Sequence, residues 1–308
     1  MTRHEEIRQV SPGLYIRAMF GGFNNQFGWA FFGFGMIFFW VFGSLVSLDD
    51  ILPNSGKLLN TTGMVVEVND TNATENDERV HRISFAFVRP GSSATLPAEA
   101  IPTAEMTANP EFIFAECYQT GTDLQPGQLA EVEFPESKPE KARISGTRRS
   151  VFPAWVMVFV SIFPFIGLIF MFFGIRRGLL IVGLLNHSCL TYGVLINKEP
   201  TNTRINDEPV MKLTFSFETQ TGRSGTVEAY THEYQHLVDE AEEPLLYNPV
   251  NPKEACMLDD IPGRPRLDKC KRLVAQDGEG FLKTLLVPTI AIAINIIGAV
   301  ASFISINR

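Results

Sequence analysis

The sequence predicts a membrane protein of α-helical transmembrane spans plus all-β domains: three TM helices with two small duplicated β-sheet or barrel domains. Three observations predict it. Three long stretches carry no charge, the segments between them alternate apolar and polar residues with period two, and the chain matches itself at a fixed offset. Whole-chain averages conceal this. Of 308 residues, 19% are charged and 45% hydrophobic, and the mean hydropathy is only +0.07.

No Asp, Glu, Lys or Arg occurs between Arg17 and Asp49, between Arg149 and Arg176, or between Lys283 and Arg308, leaving gaps of 31, 26 and 24 residues. At about 1.5 Å rise per residue each gap spans a hydrocarbon core roughly 30 Å thick. Residues 1–26 precede the first span, placed at 27–48, which holds seven Phe and no polar face. A buried soluble helix rarely stays apolar all round for so long, because one face must meet water. The stretch is also too long for the core of a cleaved signal peptide. The second span, 151–174, holds another seven Phe, with Trp155 at one end where an interfacial indole belongs. The third, 281–307, is built on Ile, Ala and Leu. Apart from Lys283 at the start of the third, no span contains an ionisable group, which argues against an ion or proton path and disfavours a transporter subunit. Asn295 is the amide deep in the third span and is expected to bond a neighbouring helix. Gly298-x-x-x-Ser302 beside it and Gly43-x-x-x-Ser47 offer close-approach faces, and with them a route to a homo-oligomer.

Between the spans lie a first β domain, 49–150, and a second, 175–280. Residues 63–87 (GMVVEVNDTNATENDERVHRISFAF) match 193–217 (GVLINKEPTNTRINDEPVMKLTFSF) without a gap, with nine identities in 25 positions. FAECY (114–118) then parallels TVEAY (226–230), and EFPESKPEKA (133–142) parallels LYNPVNPKEA (246–255). The offset shrinks, so the first copy carries an insertion near 90–110, whose Ala, Pro, Ser and Thr read as an exposed loop. Ile83, Phe85 and Phe87 alternate with small residues, as Leu213, Phe215 and Phe217 do, and this period describes a half-buried sheet. The polar run NDTNATENDE and its counterpart supply a turn between the first two strands.

Lys and Arg near span ends favour the cytoplasm. Ten lie beside the N-terminal segment and the second domain, including Arg176, Arg177 and the run from Arg264 to Arg272, against seven on the other side. This places the N-terminus and 175–280 in the cytoplasm of a multi-pass protein of the bacterial inner membrane, and 49–150 outside, where the sequons at Asn60, Asn69 and Asn72 would also fit. The basic run could meet anionic headgroups, but serves here as a marker of orientation. Cys117, Cys189, Cys256 and Cys270 show no CxxC pair and form neither a disulfide framework nor a zinc knuckle.

The first strand after an apolar span (Gly63–Val68, Gly193–Ile196), the Phe-x-Phe second strand and the turn in YNPVNPKEACMLDDIPG (247–263) resemble a bacterial membrane-protein family known as domain of unknown function 3592. The resemblance covers about 59–150 and 190–267. FPESKPEKARISG (134–146) departs from it with Lys138 where the family has Asn. It implies a membrane-tethered β domain of no established activity, with no catalytic residue to carry over.

One motif invites chemistry. His232-Glu233-Tyr234-Gln235-His236 spells HExxH, in which two His at i and i+4 of a helix bind zinc while the Glu activates water. Glu242, Glu243 or Glu254 would supply a third ligand. Against this, VDEAEEP follows at once and ends any helix by Pro244, and the equivalent stretch of the first copy, QTGTDLQPGQ (119–128), is turn sequence. No phosphate loop, nucleophile elbow or nucleic-acid signature is present. The sequence thus predicts no catalytic, cofactor-binding or metal residue. Its leading reading is a non-catalytic membrane protein whose β domains bind an unknown protein partner or ligand, or scaffold a complex. The alternative is a membrane-bound zinc metalloprotease.

Overall fold

A computed structural model describes residues 9–46, 57–96, 104–205, 207–231, 234–238, 240–268, 272–275 and 281–306. A short strand β1 (Gln9–Val10) leads into helices α1 (Pro12–Phe20) and α2 (Phe23–Gly43). Strands β2 (Leu58–Glu75) and β3 (Glu78–Val88), the short helix α3 (Ala104–Ala108), and β4 (Phe112–Thr120), β5 (Leu129–Pro135) and β6 (Arg143–Ile144) follow. Helix α4 (Trp155–His187) precedes β7 (Cys189–Ile205), β8 (Glu208–Glu218), β9 (Ser224–Thr231), β10 (Glu243–Tyr247) and β11 (Ala255–Met257). Strands β12 (Pro265–Leu267) and β13 (Arg272–Ala275) and helix α5 (Phe281–Ile306) complete it.

Helices α2, α4 and α5 are each long and apolar enough to cross a membrane. Their outward surfaces show why lipid is the solvent: Phe34, Phe159, Phe165, Phe172 and Ile297 are all exposed. Water would penalise such surface by roughly 25 cal/mol per Å². Helix α2 begins at Phe23, ahead of the first span read from sequence. Its start is fixed by a polar elbow: Asn25 Nδ2 and Gln26 Nε2 donate to the Met19 and Phe20 carbonyls, both at 2.6 Å. Those carbonyls are the orphan acceptors at the end of α1, so the elbow caps one helix while starting the next. Gln26 also donates to the Thr284 carbonyl of α5 at 2.8 Å. Helix α4 runs past the expected boundary, through Arg176 and Arg177 to His187. Its 33 residues reach about 50 Å, well beyond the hydrocarbon thickness.

The two five-stranded antiparallel sheets run β4-β3-β2-β5-β6 and β9-β8-β7-β10-β11. Their pairings coincide at an offset of 130 residues: Gly63 opposes Phe87 as Gly193 opposes Phe217, and Val65 opposes Phe85 as Leu195 opposes Phe215. Register shifts fall between Val65 and Glu67 and between Leu195 and Asn197, then again between Asp70 and Thr74 and between Pro200 and Arg204. Aromatic pairs also correspond. Phe87 and Phe134 lie 5.1 Å apart at 40°, and Phe217 and Tyr247 lie 5.4 Å apart at 39°. The first sheet curls shut through a bridge of two backbone bonds between Tyr118 and Arg148, at 2.7 and 3.0 Å.

The chain divides into two compact units, one built from residues up to Met36 with Phe163–Ile297, the other from Ile37–Ile162 with residues from Gly298 on. In the second unit Ile83, Phe85, Phe87, Cys117, Val132 and Phe134 fill one face of the sheet. Its other face is covered by the insertion, which the sequence presents as an exposed loop. Met106 of α3 is 3% exposed and packs on Met64 and Ala86. One Met among polar neighbours carries no period, so the pattern gives no sign of it. In the first unit Leu213, Phe215, Leu245 and Tyr247 form one face's core. Leu190, Leu246 and Cys256 look the other way, onto Leu14 and Ala18 of α1 and Ile181, Leu184 and Leu185 at the end of α4. A third sheet, β1-β13-β12, joins Gln9 in parallel to Arg272.

Candidate functional site

The first unit contains a cavity of about 600 Å³ where the α1–α2 elbow, α4, the tip of β7–β8 and the end of β9 converge. Gly174 and Gly178 of α4 make the approach possible: a Cβ at Gly174 would lie 2.7 Å from Asn25 Cα, and one at Gly178 would lie 2.9 Å from the Met19 carbonyl oxygen. The first charges after the apolar stretch of α4 are Arg176 and Arg177, and α5 carries Lys283 in its first turn. Charges at these positions set this end of the helices at the boundary of hydrocarbon and water.

Asn24, Tyr230 and Thr231 are among the residues that line the cavity, together with three further polar groups that form an ion pair and a buried amide. Arg177 donates from a terminal guanidinium nitrogen to Asp260 Oδ2 at 2.5 Å. Burial pushes the Asp260 carboxyl above the ordinary aspartate range, and the Arg177 guanidinium opposes that shift. The third is Asn25, 1% exposed. Its Nδ2 is committed to the Met19 carbonyl, which only accepts, so the amide orientation is fixed and Oδ1 is left as a buried acceptor with no partner. Such an acceptor costs about 1–3 kcal/mol unless something donates to it. Close by in sequence, Cys256 is fully packed, and burial pushes its thiol up to about 12. It is inert at physiological pH.

A second polar cluster closes the other unit's sheet. Glu75 Oε2 accepts from Thr120 Oγ1 at 2.6 Å and from Arg148 at 2.7 Å. Arg148 also donates to the Ser150 and Val151 carbonyls at 3.1 and 2.8 Å. These bonds hold the Glu75 carboxyl below its ordinary range, with Thr120 the larger cause. The cluster is internally satisfied and shaped as a lock.

Of the HExxH stretch, His232 and Glu233 lie outside the described residues, as does the side chain of His236. Tyr234–Leu237 forms one turn of 3₁₀ helix between β9 and β10. Of the expected third ligands, Glu243 is buried at the start of β10 and accepts from the Glu240 amide, while Glu254 accepts from Asn248 and Asn251. Among the described residues no three His, Cys, Asp or Glu side chains group as metal ligands. Within the basic run, Arg272 pairs with Asp268 at 3.2 Å, and residues 269–271 lie outside the described residues. Asn295 donates to the Ala291 carbonyl one turn back on its own helix. Gly298 faces the Trp40 ring of α2, and Gly43 faces Met157 of α4, so both close-approach faces meet helices of the same chain; Ser47 lies outside the described residues.

The cavity escapes a sequence reading because its parts are scattered: an amide ahead of one span, an arginine after another and an aspartate in a turn. The signal that was present is the polar triplet Asn24-Asn25-Gln26 against an otherwise apolar stretch. Compared with protein-family models, curated proteins and solved structures, the chain matches none.

Proposed function

We propose that the chain is a non-catalytic protein of the bacterial inner membrane whose β domains are two copies of one binding module, of the kind the resemblance to domain of unknown function 3592 implies. The N-terminus and residues 175–280 face the cytoplasm and residues 49–150 the opposite side. The single observation that carries a binding role is the boundary cavity, with its ion pair and its buried acceptor lacking a donor. Shared strand order, register and bulges support the reading as copies. The copies differ in what covers their second face: the 90–110 insertion in one, α1 and the end of α4 in the other. A scaffold used twice with different covers is suited to different occupants on the two sides, a protein partner or a second copy of the chain among them.

Ile205 lines the cavity at the tip of the β7–β8 hairpin and is exposed there. Replacing it with Trp adds bulk at a position that is not packed in a core. Native mass spectrometry of the detergent-purified protein is expected to show a small molecule retained by the wild type and lost from Ile205→Trp. Equal occupancy of the two, or none in either, rules out the cavity as a binding site.

A further inference from the structure

The two copies differ at one edge of their sheets. In the first, Tyr118 of the edge strand β4 lies opposite Arg82, and Arg148 takes its outward amide and carbonyl in an antiparallel bridge. In the second, Tyr230 of β9 lies opposite Lys212 in the same register. The ladder fixes which way its backbone points. The Thr219 amide donates to the Arg223 carbonyl at 2.8 Å, and bonded pairs alternate along an antiparallel ladder. Leu213 and Ala229 are therefore a bonded pair, while Tyr230 turns its amide and carbonyl off the sheet. Among the described residues none bonds either group. The residue in the place of Arg148 is Ile261, which turns instead into the core beside Leu14 and Ile181 and is 1% exposed. The second copy thus leaves open an edge that the first closes from within.

The surroundings of that edge specify what fits it. In the first copy the Arg148 guanidinium reaches Glu75 Oε2 at 2.7 Å. At the offset of 130 the place of Glu75 falls to Ile205, 39% exposed at the tip of the β7–β8 hairpin. Ile205, Val210 and Tyr230 line the cavity together, so a side chain in the place of Arg148 meets apolar surface there and no carboxylate. The β9 strand of a second copy is a poor occupant. Its residues with outward backbone groups are Ser224, Thr226, Glu228 and Tyr230, and none is aliphatic.

We propose that the β9 edge takes up an extended segment of a partner protein, antiparallel to β9, with an aliphatic side chain in the place of Arg148. The segment exchanges two backbone bonds with Tyr230, which supply affinity, and lays that side chain on Ile205 and Val210, which supplies selectivity. The proposal rests on reading the β domains as binding modules, and not on what the cavity itself retains.

The probe is a fluorescent peptide of residues 145–151, the chain's own bridging segment, carrying Arg148→Leu. Its binding to the full-length protein in detergent is read by fluorescence anisotropy. It is expected to bind about tenfold tighter than the unsubstituted peptide, whose arginine lacks the charge-assisted hydrogen bond that Glu75 provides in the first copy. N-methylation of the peptide amide at position 148 removes the donor to the Tyr230 carbonyl and is expected to abolish binding. Ile205→Glu restores the carboxylate and is expected to reverse the preference, so that the unsubstituted peptide binds tighter. No saturable binding of the leucine peptide, or binding indifferent to N-methylation, overturns the proposal with the protein unaltered. A leucine preference that persists in Ile205→Glu overturns the placement on β9. A small molecule retained by the wild type and lost from Ile205→Trp stands apart from all of these outcomes, so failure of the edge and failure of the cavity are distinguishable.

Discussion

Glu75 shows how a single side chain holds a sheet shut. It sits at the far end of β2 and takes hydrogen bonds from Thr120 of β4 and from Arg148, the residue whose backbone closes the curl. The folded carboxyl titrates below its ordinary value of 4.5, so the folded state binds fewer protons than the unfolded chain in that window. The stabilisation is complete above the ordinary value and is lost as pH falls through the lowered one. Glu75→Gln is expected to cost about 1–3 kcal/mol near neutral pH, as removal of charged hydrogen bonds does. Thermal unfolding of the detergent-solubilised protein should show the gap to wild type narrowing on acidification. A gap independent of pH would mean that the carboxylate charge has no part in closing the sheet. The sequence discloses the two partners' identities but not their meeting, since Glu75 and Arg148 are separated by four strands and the insertion.

At the scale of elements, the self-match explains itself residue by residue. Gly63 and Gly193 recur because a Cβ there would lie 2.6 Å from the Val132 side chain and 2.8 Å from that of Leu245, which occupy the same place in the two sheets. Asn76 and Asp77 form a two-residue hairpin loop with φ of 52° and 67°, and Asp207 repeats it at 65°. Asn and Asp tolerate that left-handed region better than most residues, which suits them to the hairpin turns of both sheets. Thr71 and Thr201 each accept from the amide two residues on, at 3.2 Å. Phe85, Phe87, Phe215 and Phe217 are core. The sheets were legible because period two and turn chemistry are local. The contact of α2 with α4 was not, because a glycine inside an apolar run gives no period of its own. Gly178→Ala forces a methyl against the Met19 and Ala18 carbonyl oxygens at 2.9 and 3.0 Å and is expected to destabilise the elbow. Gly183→Ala on the same helix meets nothing within 4 Å and is expected to stabilise by up to about 1 kcal/mol through helix propensity. Thermal unfolding midpoints that move the same way for both would show that the close approach at Gly178 is not what shapes the elbow.

For the whole molecule, the question is what the odd number of spans between the two β domains does to them. Helix α4 is the element that decides it, since the chain passes from residues 49–150 to 175–280 through that helix alone. Its uncharged stretch ends at Arg176, and on the proposed orientation the charges that follow lie on the side of the N-terminal segment. On the orientation proposed above, two β domains separated by one crossing face different solvents, so each can recognise a different class of molecule while sharing one anchor. Ser93, in the insertion, and Thr221, in the short β8–β9 turn, are exposed and outside both sheets' cores. Single cysteines at these positions should therefore report sidedness without disturbing the fold. A membrane-impermeant maleimide is expected to label Ser93→Cys in intact spheroplasts, and Thr221→Cys only after the membrane is opened. Labelling of both from outside would mean that α4 does not cross. The second domain would then lie beside the first, and the positive charges at Arg176 and Arg177 would need another explanation than orientation. Labelling of Thr221→Cys alone would keep the crossing and invert the molecule, exchanging the solvents that the two β domains face.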